Sequence, residues 1–354
     1  MIRFSWSVRA ASAMAVAAMA IWIPLPSQAA DEISDGQWFH TFLRTSQAQE
    51  LSTGSGITVA VIDSGVDATH PDLLGSVLPG VDFTADGKGT GHLDVSGHGT
   101  GMAAIVAGHG RVRGIAPGAK ILPVRVFTKP GTGRVTADSV RWAVEHGADV
   151  ISISMGSGTA DPAVRLAIEE AIRQNVVVVA AAGNRPEDRD VVYPAAFPGV
   201  IAVGGVGKDG ELSTSSVTGH AISVAAPADG ITSAGLDHRW SIGSGTSGAT
   251  AIVAGAAALI RAKFPELSAA GVADRLTSTA VDKGYPGRDP QYGFGVLNLM
   301  GALTADASPS AVEPSATASP AGPSPDGSHP WVWVLAAIAV GGVLVLAFRS
   351  RRRG

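Results

Sequence analysis

The sequence contains no cysteine. Disulfide bonds, thiol nucleophiles and cysteine-zinc sites are therefore excluded, and an exported form of this chain must be held by its core alone. Aromatic residues are scarce, at 5%, and charged residues make up only 16%. What the chain has instead is small and apolar: 45 glycines and 45% hydrophobic residues in a length of 354. That composition suits a tightly packed core, in one large domain or two small ones. The formal net charge of -4 is unevenly spread. Residues 1–29 carry Arg3 and Arg9 and no acid, and residues 331–354 carry four arginines and no acid. Between them 20 basic residues face 30 acidic ones. An acidic body argues against nucleic acid as a partner.

Both ends read as targeting segments. Arg3 and Arg9 precede the apolar run "AASAMAVAAMAIWI", which ends in "PLPSQAA". The small residues of Ser27-Gln28-Ala29 predict a signal peptide over residues 1–29, cleaved after Ala29. At the other end, "WVWVLAAIAVGGVLVLAF" (331–348) is long enough to cross a bilayer at about 1.5 Å per residue. Trp331 and Trp333 suit an interfacial belt, and the "RSRRR" that follows predicts a cytoplasmic tail (349–354) with the body outside the cell membrane. Residues 304–330, rich in Pro, Ala and Ser, read as an extended stalk.

Residues 30–56 are a polar, mixed lead-in, and the body runs over 57–303. The runs "ITVAVID" (57–63), "KILPVRVF" (120–127), "VISISMG" (150–156), "VVVVAAAGN" (176–184) and "VIAVGGV" (200–206) predict buried strands. Helical patterns lie between them at 99–108, 136–148 and 161–175, the last with Asp161 as N-cap and Pro162 as first helical residue. This alternation predicts an α/β fold with a parallel sheet covered on both faces. Ligands in such sheets bind beyond the carboxyl ends of the strands.

Four residues stand where that edge should be. Asp63 closes "ITVAVID" before a Ser-Gly turn. His98 lies between Gly97 and Gly99 and opens an alanine-rich helix, whereas the other eight histidines have no such setting and read as structural. Asn184 closes "VVVVAAAGN", where a side-chain amide can donate to a developing oxyanion or simply form a turn. Ser247, in "GSGTSGATAIVAG" (243–255), opens a second helix, whose free N–H groups and positive dipole end suit an oxyanion. This stretch could be a linker, but a small-residue helix follows at once. It also resembles the G-x-S-x-G elbow of α/β-hydrolases. That arrangement needs a histidine after the serine, and only His329, in the stalk, follows Ser247. The chain order of acid, base and nucleophile is instead that of a third kind of triad.

"VAVIDSGVDATHPDL" (59–73), "GHGTGMAAIVAG" (97–108), "VAAAGN" (179–184) and "GTSGATAIVAGAAAL" (245–259) resemble the Asp, His, Asn and Ser segments of the subtilisin-like serine peptidases. The resemblance extends through "GIAPGAKILPVRV" (114–126) to "YGFGVLNLMGAL" (292–303). It implies a three-layer α/β/α sandwich with a mainly parallel sheet. It also implies a catalytic Asp63, His98 and Ser247, with Asn184 and the Ser247 N–H as the oxyanion hole. The segments holding Ser152, Ser154, Met155 and Gly156, and Gly131 and Gly133, are then expected to line the cleft as edges that pair with an extended peptide. Met155 suits an apolar pocket or plain core filling. Bound calcium occurs in the family, but "VDATHPDLLGSVLPGVDFTAD" (66–86) offers no ligand spacing and reads as solvated turn acids, so no cofactor is expected.

The order of signal, short lead-in, peptidase domain, stalk, membrane helix and basic tail resembles the mycosins, membrane-anchored peptidases of type VII secretion systems. In that family the lead-in lies against the catalytic domain. The expected function is a membrane-anchored extracytoplasmic serine endopeptidase acting on polypeptides, in contact with secretion components. Two alternatives are a structural subunit with dispensable activity and a cell-surface peptidase unrelated to secretion. Three departures from the family stand out. Ala251 replaces a usual proline, Gly248 replaces a larger residue, and the disulfides of many mycosins are absent.

Overall fold

Valine- and isoleucine-rich runs form a seven-stranded sheet in the computed structural model, which describes residues 32–85, 89–126 and 136–306. The strands are β1 (Thr58–Asp63), β2 (Val81–Asp82), β3 (Lys120–Arg125), β4 (Val150–Ile153), β5 (Val177–Ala181), β6 (Ile201–Val206) and β7 (Val224–Pro227). Their order is β2-β3-β1-β4-β5-β6-β7, and every pairing is parallel. The expected parallel sheet is therefore present. The strands stop short of the apolar runs, so that Ser154–Gly156 and Ala182–Asn184 leave the sheet at its carboxyl edge.

Alternation along each strand divides the core in two. Val59, Val61, Val150, Val177 and Val179 pack on one face, and Ala60, Ile62, Ile151, Ile153 and Val178 on the other. The lead-in forms three short helices, α1 (Glu32–Asp35), α2 (Phe39–Phe42) and α3 (Thr45–Leu51). Helix α4 (His98–Ala107) covers the first face. Helices α5 (Ala137–Glu145) and α6 (Pro162–Arg173) cover the second. Thr136 caps α5 and Asp161 caps α6, with Pro162 in its first turn as expected.

The strands β8 (Ile231–Ala234) and β9 (Trp240–Gly243) form an antiparallel hairpin outside the main sheet. Helix α7 (Thr246–Lys263) follows and packs with α4 on the first face. Nearly every residue of α7 is buried, and its alanines and glycines let neighbours approach from all sides. Helices α8 (Ala269–Ser278) and α9 (Leu299–Thr304) complete that layer. The result is the three-layer arrangement.

The lead-in is part of the body rather than a loose arm. Phe39, Leu43 and Ala48 are buried in the core. Trp38 Nε1 donates to the Asp229 carbonyl (2.8 Å), and the Ser52 hydroxyl donates to the Leu259 carbonyl of α7 (2.8 Å). The chain divides into two units at Asp306. The expected signal peptide, almost all of the stalk, the apolar segment 331–348 and the basic tail lie outside the described residues. Among the described residues no helix is long and apolar enough to cross a membrane.

Candidate active site

β1 delivers Asp63 to the carboxyl edge of the sheet, where it is fully buried. The Ser64 backbone N–H donates to its Oδ1 at 2.7 Å. His98 begins α4, and its Nδ1–H faces both carboxylate oxygens, at 2.8 and 2.9 Å. Gly99 makes this approach possible: a Cβ there would lie 2.1 Å from the Gly65 carbonyl oxygen. The glycine beside the histidine is thus needed for helix-to-strand contact.

A second carboxylate stands behind the pair, and the sequence reading missed it. Asp94 is buried and accepts hydrogen bonds from the Ser64 hydroxyl (2.8 Å), the Gly97 N–H (3.0 Å) and both the N–H and hydroxyl of Thr100 (2.9 and 2.7 Å). The Ser64 hydroxyl in turn accepts from the Gly99 N–H (2.9 Å). Burial disfavours a charge on His98, but the Asp63 charge, the Asp63 hydrogen bond and the Asp94 charge together outweigh it. The imidazole pKa is raised above its ordinary value. The only sequence cue to Asp94 was its place four residues before His98.

Ser247 lies in the first turn of α7, where its N–H has no partner within the helix. Gly245 enters the helix with φ 148°, and a Cβ there would press on the Asn184 amide at 3.1 Å. Asn184 Oδ1 accepts the Thr246 N–H at 2.8 Å. That bond uses the oxygen and leaves the Asn184 amine free to donate into the cleft. His98, Asn184 and Ser247 line one cavity of about 290 Å³. The Ser247 hydroxyl donates to the Ser154 carbonyl (3.2 Å), and the Ser154 hydroxyl donates to the Ser247 carbonyl (3.3 Å).

The expected peptide-binding residues divide. Ser154 touches Ser247, and Gly156 is exposed at a smaller cavity of about 80 Å³ with Tyr193 and Pro194. Met155 is half-buried and packs on the core of the α5–α6 face, in keeping with core filling. Ser152 is a correction: it is 1% exposed within β4, between Val61 and Val179, and cannot touch a substrate. Its hydroxyl has no hydrogen-bond partner. Gly131 and Gly133 lie outside the described residues.

The acid-rich loop is also corrected. Asp72 and Asp82 are buried rather than solvated. Arg125, at the end of β3, pairs with Asp82 at 2.5 Å. Asp72 accepts three N–H donors, from Arg111, Val112 and Trp240, and so does not fit a cation. Among the described residues no group of three or more His, Asp or Glu could hold a metal ion. The missing proline leaves the helix start intact. Ala251 is fully buried, and Thr246 fixes the first turn through Asn184 and through a hydroxyl bond to the Gly183 carbonyl (3.2 Å).

The parallel sheet, with an Asp–His pair and a serine at its carboxyl edge, has the subtilisin-like α/β fold. The Subtilase family profile matches residues 54–295, and the chain belongs to that family. Subtilisin E of Bacillus subtilis (strain 168) is 38% identical over 258 residues, 71% of this chain and 66% of its own length. A structure of MycP1 with its N-terminal propeptide removed has a TM-score of 0.69 at 34% identity, covering 76% of this chain and 97% of that one. A structure of the serine protease MycP1, described as an essential component of the type VII (ESX-1) secretion system, has a TM-score of 0.67 at 34% identity. That match covers 78% of this chain and 90% of the other.

Proposed function

We propose that the chain is a serine endopeptidase whose triad is Asp63, His98 and Ser247. One observation carries the reading: His98 Nδ1 is held by a buried carboxylate while its ring shares a cleft with a serine at a free helix N-terminus. Ser247 Oγ attacks the scissile carbonyl as His98 takes its proton. The oxyanion so formed accepts from the Asn184 amine and the Ser247 N–H. His98 then gives its proton to the leaving amine, and water hydrolyses the acyl-enzyme by the same steps. Asp63 fixes the tautomer and stabilises the imidazolium. For the attack, the Ser247 hydroxyl turns from the Ser154 carbonyl toward His98, a tightening expected when substrate binds. An extended polypeptide runs along Ser154 and Gly156. The test is labelling by a fluorophosphonate probe: it should modify Ser247, and folded protein that stays unlabelled would sink the proposal.

The same reading puts the body outside the cytoplasm, with residues 1–29 as a cleaved signal and 331–348 as a single membrane anchor. Sequence pattern supports this. Protease shaving of intact cells should release the body and leave the tail, and a wholly soluble full-length chain would refute it. A role beside secretion machinery is supported by the likeness to MycP1. Membrane partners should then co-purify with the Ser247→Ala variant, which would also support a structural role independent of proteolysis.

A further inference from the structure

Asp72 lies 1% exposed in the single turn Pro71–Leu73, outside the triad. Three N–H groups converge on it. Oδ1 accepts from the Arg111 backbone at 2.7 Å, and Oδ2 from the Val112 backbone at 3.1 Å and the Trp240 indole at 2.7 Å. The Arg111 guanidinium lies over the Trp240 ring, 4.8 Å from its centroid. His70, fully buried, meets Trp240 edge-on at 6.0 Å, and its Nε2–H donates to the Arg239 carbonyl at 3.2 Å. The whole group grips the start of β9.

β9 leads straight into the cleft. Gly243, Ser244 and Gly245 line it beside His98 and Ser247. Beyond Trp240 the residues of β9 are exposed, so burial does not hold the strand. Its pairing with β8 and the grip on Trp240 hold its start, and the Gly230 N–H to Ser244 hydroxyl (2.9 Å) and Gly245 N–H to Ala228 carbonyl (3.0 Å) bonds hold its exit. Two consecutive residues at the hairpin tip, Asp237 and His238, have positive φ (54° and 57°), an unfavourable bend that needs outside support.

We infer that Asp72 and Trp240 are positioning residues for the nucleophile segment. Their bond fixes where β9 starts, and the strand carries that placement forward to Gly245, which meets Asn184 and starts α7 with Ser247 in place. A carboxylate suits this position because it faces three donors, where a side-chain amide would turn an N–H against another N–H. A displacement of about 1 Å in such a segment can cost on the order of 10²-fold in rate. The inference rests on Ser247 being the nucleophile.

The experiment compares fluorophosphonate labelling rates and peptide kinetics in the full chain. Trp240→Phe keeps an aromatic ring but removes the indole N–H together with the five-membered ring that carries it. Labelling and kcat should both fall roughly tenfold with KM nearly unchanged, alongside a modest drop in melting temperature from the lost donor to buried Asp72. Arg111→Ala keeps the backbone donor, removes the stacked cation at the surface, and should lower labelling about threefold. If Trp240→Phe fails to fold, Asp72→Asn, which weakens the same bond from its other side, is measured in its place with the same readouts. Wild-type labelling rates in the folded variants, or a rise in KM at constant kcat, would overturn the inference. Failure of the wild-type protein to label would instead overturn the peptidase reading itself.

Discussion

Asp94 and His98, four residues apart, are coupled through charge: the buried Asp94 carboxylate helps the Asp63 carboxylate keep the His98 pKa above its ordinary value. In the proposed mechanism His98 acts as a neutral base, so activity should be lost as pH falls through that raised pKa. Asp94→Asn removes one raising contribution. The acidic limb of the kcat/KM profile should move to lower pH, and an unmoved limb would show that Asp94 is electrostatically silent.

Asn184 keeps its amine free because its oxygen is committed to Thr246. Asn184→Ala should lower turnover on the order of 10²–10³-fold, the size such a loss has in a subtilisin. KM should change little. Near-normal kcat would remove Asn184 from the oxyanion role.

Gly99→Ala drives a methyl group against the Gly65 carbonyl oxygen, 2.1 Å away. Helix α4 must then back away from β1 and carry His98 off Asp63. Activity should fall by more than tenfold while the sheet survives, as judged by circular dichroism.

Ser152 has a buried hydroxyl without a partner. Removing an unsatisfied polar atom avoids a desolvation penalty of about 1–3 kcal/mol. Ser152→Ala should leave denaturant stability unchanged or raised, with full activity. A clear loss of either would give the hydroxyl a role not visible in its surroundings.

His40 in α2 donates to the Arg113 carbonyl at 2.8 Å. Burial lowers its pKa to about 4; the hydrogen bond to Arg113 opposes the shift and the Arg113 charge adds to it. The neutral form is therefore the one folding selects. Its contribution to stability is present above pH 6.5 and is lost as pH falls toward 4. His40→Gln should flatten the fall in melting temperature across that window.

The sequence by itself determined the strand–helix alternation, the parallel sheet and the four residues at its edge. Those features rest on local patterns: valine runs of strand length, glycines beside a histidine, a helix opening at a serine. Ala251 shows why one departure did no harm, since capping by Asn184 and Thr246 replaces what a proline would fix. Only the tertiary structure decided the rest. β2 and β7 are too short and small-residued to read as strands, and β9 is exposed along most of its length. Ser152 is expected in the cleft because the segment 152–156 resembles a cleft-lining edge, yet sheet pairing on both sides buries it. Asp72 and Asp82 looked like turn acids, and Asp94 did not stand out at all. Their burial depends on partners from distant segments, Trp240, Arg125 and Ser64, and such contacts leave no periodic trace in the chain.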